Sequence, residues 1–95
     1  MPAYIMADIE IQDAAKFEEY RSRVPGSLAP YGGRFIVRGG SIQTLEGAWS
    51  PSRLVILEFP SAAQAKAWWN SAEYAEAKLI RKAASRGNFL LVEGV

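Results

Sequence analysis

Asp8, Glu58, Arg34 and Arg38 are the side chains of this chain whose types and spacing come nearest to chemistry. Each acid sits in an apolar segment whose alternation sends it to the same side as Tyr4, Met6 and Ile56. The first and third strands are expected to run as parallel neighbours, with both carboxylates near their C-terminal ends on one sheet face. Close carboxylates push their pKa values apart, so that one can hold a proton while the other accepts one. An arginine from the intervening strand, Arg34 or Arg38, could neutralise one acid or fork onto an anionic substrate. The catalytic candidates are therefore Asp8, Glu58 and Arg38, with Arg34 as a ligand clamp. The same side chains could instead form an ion-pair network at an interface, setting register and adding little net stability. Register also decides which arginine meets Glu58. A tight turn around Trp49–Ser52 places it opposite Ile42, whereas a ladder through the residues before Gly39 places it opposite Arg34.

Further ligand-binding candidates surround these four. Glu46, Trp49 and Arg53 gather at the mouth of the turn before the third strand, in the kind of loop that often carries function. Trp49 could equally pack over the sheet edge or against another subunit. Tyr20, Tyr31, Trp69 and Tyr74 could line a cleft between helices and sheet, where hydroxyls and an indole N–H would orient a flat aromatic ligand. As plain core residues they would keep only a polar tip at the surface. Arg81, with Lys82 and Arg86, could hold an anion, yet cations in the last turn of a helix also suit its dipole. The pairs Gly32-Gly33 and Gly39-Gly40 lack the strand–turn–helix setting of a phosphate loop; a helix stop and a bulge account for them.

The chain contains no cysteine and no histidine. That excludes disulfides, thiolate nucleophiles, Cys/His zinc sites, Ser-His-Asp triads and histidine-ligated haem. Acids and bases must then come from Asp, Glu, Tyr or Lys. No carboxylates show calcium-loop spacing, and neither a metal nor a cofactor is expected. Acidic and basic residues nearly cancel, at a formal net charge of +1, which argues against a polyanion partner. No apolar run reaches the ~18–20 residues of a membrane helix. Met1-Pro2-Ala3-Tyr4 lacks the basic and apolar regions of a signal peptide. A cytoplasmic protein with no membrane contact is expected.

Ninety-five residues without repeats or a linker make one domain, spanning 1–95. Alternation of Ile5, Ala7, Ile9 and Ile11 predicts a first strand over 3–11. Asp13 suits the N-cap of a helix whose apolar stripe is Phe17, Tyr20, Val24, Leu28 and Tyr31. Pro25-Gly26 predicts a kink or break after Val24. A second strand follows at 34–38, with a bulge at Gly39-Gly40 and a continuation through 41–47; a third strand covers 53–59. Ser61-Ala62-Ala63-Gln64 is a capping box for a second helix, with a break expected at Asn70-Ser71. Since Trp68 and Trp69 are adjacent on that helix, one of them must stay at least partly exposed. Gly87 is expected to cap the helix, and 89–93 to form the last strand.

The order is βαββαβ, which right-handed crossovers convert into a four-stranded antiparallel sheet with both helices on one face: a ferredoxin-like α+β fold. Alternation assigns Ile5, Ala7, Ile9, Phe35, Val37, Val55, Leu57, Phe59, Leu90 and Val92 to the helix side. It assigns Tyr4, Met6, Asp8, Ile36, Ile56, Phe89 and Leu91, with Arg34, Arg38, Glu58 and Glu93, to the open side. A bare patch of that kind usually marks an interaction site, and a second copy is the economical cover. The alternative is that some of these residues line a small-molecule pocket. The same strand order builds an RNA-recognition module. Leu54 and Ile56 stand where that module stacks bases on rings, so no nucleic acid is expected.

Several segments carry a specific likeness: Met1-Pro2-Ala3-Tyr4, the block from Tyr31 to Gly40, Leu45-Glu46-Gly47, Trp49, Arg53, Glu58-Phe59-Pro60-Ser61, Ser71-Ala72-Glu73-Tyr74 and Arg81. In order and from end to end, the chain resembles the bacterial domain-of-unknown-function family numbered thirteen-thirty. Pro25-Gly26 and Pro30 depart from the helix-favouring residues expected there. The resemblance implies a dimeric α+β barrel, in which two ferredoxin-like sheets pack face to face. That group includes cofactor-free monooxygenases, isomerases and haem enzymes, so it leaves function open. The expectation is a homodimer holding a small anionic or aromatic organic molecule. The alternatives are a cofactor-independent monooxygenase or isomerase, and a module whose charges serve dimerisation alone.

Overall fold

The computed structural model describes all residues, Met1–Val95. Its elements are β1 (Ala3–Ile11), α1 (Ala14–Leu28), a 3-10 turn (Ala29–Tyr31), β2 (Arg34–Arg38), β3 (Leu54–Phe59), α2 (Ala62–Trp69), α3 (Ala72–Ala84) and β4 (Ser85–Glu93). The strands form one sheet in the order β2-β3-β1-β4, antiparallel throughout. Extents of 35 × 35 × 17 Å describe a slab two layers thick, helices over sheet, with the second sheet face uncovered.

Alternation along β1 sets the layers. Ala3, Ile5, Ala7 and Ile9 are buried beneath the helices, while Tyr4, Met6 and Asp8 between them are only half-buried on the other face. The core joins those residues to Phe17, Tyr20, Val24 and Leu28 of α1, to Leu57 and Phe59 of β3, and to Trp68, Tyr74, Ala77 and Ala84. Trp68 is fully buried, whereas Trp69 beside it is only partly so. The Trp68 indole N–H donates to Ser27 Oγ at 3.0 Å, and Ser27 in turn donates to the Val24 carbonyl at 2.7 Å. The polar edge of the largest core ring is thereby satisfied, as a buried donor must be.

Caps start the helices where the residue types demand. Asp13 accepts from the Lys16 amide at 3.1 Å, Ser61 from the Gln64 amide at 3.2 Å, and Ser71 from the Tyr74 amide at 3.2 Å. The third of these caps confirms the break at Asn70-Ser71 and divides the second helical segment in two. α1, by contrast, runs unbroken through Pro25. Proline removes one helical hydrogen bond, but Pro25 lies on the exposed side, and Val24, Ser27 and Leu28 keep the other side docked. The helix ends instead at the 3-10 turn and Gly32, whose φ of 70° is left-handed and easiest for glycine.

Five other expectations are corrected. β1 and β3 are antiparallel, because the α1 crossover returns β2 parallel to β1 and the following connection reverses β3. The bulge lies between Phe35 and Val37, so Ile36 is the extra residue, not the Gly39-Gly40 pair. Residues 39–53 form no strand and make one long loop. Finally, β4 begins at Ser85, and Gly87 pairs with Ile9 inside the strand rather than capping the helix. A Cβ at Gly87 would run into the Asp8 carbonyl oxygen, so the close strand approach requires glycine there. Pairing of Ala7 with Phe89 and Ile5 with Leu91 then turns those two residues toward the helices and puts Leu90 and Val92 on the open face, the reverse of the expected assignment.

Candidate functional site

Register decides where each charged candidate goes. Asp8 stands opposite Leu54 and Glu58 opposite Tyr4, so the two carboxylates share a face but lie about 13 Å apart along the strands, at ~3.3 Å per residue. Each has its own partner. The Arg34 guanidinium grips Glu58 Oε1 through Nε at 2.7 Å and Nη2 at 2.6 Å. Trp49 Nε1–H donates to Asp8 Oδ2 at 3.2 Å, drawing the 39–53 loop over the open face beside Met6, Asn88 and Leu90. The structure therefore does not bring Asp8 and Glu58 together, and of the two register alternatives it takes the one that pairs Glu58 with Arg34.

The bulge at Ile36 sends Arg38 elsewhere. Beyond it Arg38 pairs with Val55 on the helix side, and its guanidinium carbon lies 4.3 Å from the centre of the Phe35 ring. There it borders an apolar cavity between α1 and the sheet, of about 30 Å³, with Ile5, Ala7, Ile9 and Leu57 as floor and Phe17, Val24 and Phe89 as walls. Three arginines from three separate segments reach this cavity: Arg21 of α1, Arg38 at the end of β2, and Arg53 from the loop. Arg53 is held in place by its own backbone, since its carbonyl accepts from the Ile9 amide at 2.9 Å. Its guanidinium stacks 5.7 Å from the Phe17 ring centre and fills the space that a side chain at Gly39 would need.

Electrostatically the rim is one-sided. Arg21 Nη1 pairs with Glu18 Oε2 at 3.1 Å, and neither Arg38 nor Arg53 has a carboxylate partner. The Nε atoms of Arg21 and Arg53 are buried without any hydrogen-bond partner. Burial lowers the pKa of Arg53, and the neighbouring Arg21 and Arg38 charges push it the same way. Concentrating cations against apolar walls costs energy and favours an anion.

Tyr20, which also lines the cavity, shares a buried hydrogen bond of 2.9 Å with Tyr74 through their hydroxyls. Burial above all, then the Tyr74 contact, pushes the Tyr20 phenol far above its usual pKa. The Tyr20 phenol therefore stays neutral at ordinary pH. Arg81 is buried beside them, 4.1 Å from the Phe89 ring centre and 5.7 Å from that of Trp69, and its Nε also lacks a partner. Tyr31 stands apart at the surface, where its hydroxyl donates to Glu73 Oε1 at 2.8 Å. Glu46 lies exposed in the loop. The candidates thus separate into Arg38 and Arg53 at the cavity, Tyr74, Trp69 and Arg81 in the aromatic interior, Asp8, Trp49, Arg34 and Glu58 on the open face, and Tyr31 and Glu46 at the periphery. Sequence reasoning missed Arg21. Its spacing of four from Phe17 was the available signal, placing it on the flank of the apolar stripe that faces the sheet.

A sequence profile described as a domain of unknown function, DUF1330, matches residues 2–95. The chain belongs to the DUF1330 family. Solved structures similar to this DUF1330 protein include a protein of unknown function from Rhodopseudomonas palustris, 18% identical with a TM-score of 0.81, covering 99% of this chain and 82% of that one. A dimeric ferredoxin-like protein of unknown function from Jannaschia sp. CCS1 is 17% identical with a TM-score of 0.72, covering 99% and 100%. SnoaB, a cofactor-independent oxygenase from Streptomyces nogalater, is 12% identical with a TM-score of 0.67, covering 99% and 93%. Likeness at these identities shows the fold, which is ferredoxin-like α+β. A comparison with curated proteins finds no match. No helix of this DUF1330 protein is long and apolar enough to cross a membrane.

Proposed function

We propose that this DUF1330 chain works as a homodimer whose subunits pack open face to open face, each holding a small organic molecule in the cavity between α1 and its sheet. The observation that carries the pairing is the uneven finish of the two faces. Helices bury one side, while Ile36, Trp49, Leu90 and Val92 on the other stay 43, 60, 63 and 50% exposed, around half-buried Tyr4, Met6, Leu54 and Ile56. A second copy supplies matching apolar surface by symmetry. The likeness to a ferredoxin-like protein described as dimeric supports the same pairing. Arg34 and Glu58 would then serve the interface, and the ligand would sit on the helix side, where apolar walls meet a polar rim. Register separates Asp8 from Glu58, so this reading of binding does not rest on acid–base work by that pair.

Sedimentation of the purified chain at micromolar concentration tests the pairing. A dimer is expected, with Ile36→Asp together with Leu90→Asp weakening it at least ~100-fold, because each copy would bury two new charges without partners. Both positions are exposed in the single chain, so the variant should keep its fold, which circular dichroism checks. A wild-type monomer would end the proposal.

A further inference from the structure

The cavity has two chemically different ends. Inside, Ile5, Ala7, Val24 and Leu57 offer no polar atom to a guest; at the mouth, Arg38 and Arg53 offer nothing but guanidinium donors. Neither of those two arginines makes an ion pair with a carboxylate of the protein. Resting on the cavity reading above, we propose that the molecule bound there is a small carboxylate, its charged end clamped by Arg53 and Arg38 and its short apolar tail inside.

Three observations fix that chemistry. Three guanidinium groups converge with a single carboxylate, Glu18, which pairs with Arg21 and reaches Arg53 only at longer range; an anion would supply the missing acceptor for the Arg53 fork. The partnerless Nε atoms of Arg21 and Arg53 mark hydrogen-bonding capacity left unused in a dry place. Space sets the tail. A cavity of about 30 Å³ takes roughly two water molecules at ~10–15 Å³ each, or about two to three carbon atoms. An inorganic anion such as phosphate would leave that apolar space empty, and a ring would overfill it. The arginines are also pre-positioned. Arg38 lies over Phe35 and Arg53 over Phe17, so little side-chain freedom remains to be lost on binding.

Isothermal titration of the full chain with butyrate, its neutral counterpart butyramide, and inorganic phosphate tests this directly. Butyrate should bind, butyramide at least about tenfold more weakly, and phosphate more weakly than butyrate, since a charge-assisted hydrogen bond is worth about a factor of ten or more. Arg53→Met, which keeps an apolar stem over Phe17, should lose butyrate binding by a similar factor. Its thermal melt should stay unchanged, showing that the loss is not unfolding. Equal binding of butyrate and butyramide would overturn the carboxylate while leaving a ligand cavity. Phosphate binding as well as butyrate would overturn the apolar tail. No binding of butyrate, butyramide or n-butanol would overturn the cavity reading itself, and the clamp with it.

Discussion

Arg34 and Arg38 stand four residues apart on one short strand, yet they live in opposite surroundings. Arg34 faces the open side and is neutralised by Glu58 through two contacts to one oxygen. Arg38 faces the helix side, lies over the Phe35 ring, and makes no ion pair. Uninterrupted alternation would have put both on the same face; the extra residue Ile36 reverses the second. The comparison teaches that residue type alone does not label a site. One arginine has its counter-charge built in, and the other stands beside Arg53 with the counter-charge left out.

The two faces should respond to mutation very differently, and the largest contrast lies in packing. Trp68→Ala should destabilise the protein by ~3–5 kcal/mol, the usual cost of emptying a buried aromatic site. Leu90→Ala on the open face should change the stability of the single chain by no more than ~0.5 kcal/mol. Chemical denaturation of both variants, compared below the dimer's dissociation constant, would break the comparison if the two losses were alike.

Tyr20→Phe is next in size. It strands the Tyr74 hydroxyl in the interior, at a cost of ~1–3 kcal/mol, whereas removing both hydroxyls should cost less than the single change. A double-mutant cycle at these positions reads the coupling. Additive losses would show that the 2.9 Å contact contributes nothing.

The smallest effects sharpen the arginine comparison most. Arg34→Met removes an ion pair whose guanidinium is largely exposed and should lower single-chain stability by no more than ~1 kcal/mol, less still in high salt. Arg53→Met should instead leave stability unchanged or raise it slightly, because burial and the charges of Arg21 and Arg38 already oppose its guanidinium. Equal losses from both variants, measured by thermal melts at low and high salt, would erase the distinction between a paired and an unpaired arginine.

Much of this protein was legible residue by residue wherever a local rule sufficed. Asp13 and Ser61 capped the helices expected of them, because a side-chain oxygen three residues before a free amide needs no tertiary help. Asn70-Ser71 broke the second helical segment where expected. Local rules failed where a long-range contact outweighed them. Pro25 did not break α1, since Val24 and Leu28 anchor the turns on either side. Gly87 did not cap a helix, since β1 needed a neighbour without a Cβ. Arg21 was missed because an arginine beside an apolar stripe reads as solvated until the opposite wall is known.

Strand and helix order, the N-caps at Asp13 and Ser61, the absence of cysteine and histidine chemistry, and an open apolar face all followed from the chain itself. They depend on spacing along the backbone and on composition, which folding does not alter. The side on which Arg38 falls, the separation of Asp8 from Glu58, the faces of β4 and the gathering of three arginines at one cavity were decided only in three dimensions. Each turns on strand register, and because side chains alternate with a period of two, a single extra residue or a later strand start exchanges one face for the other.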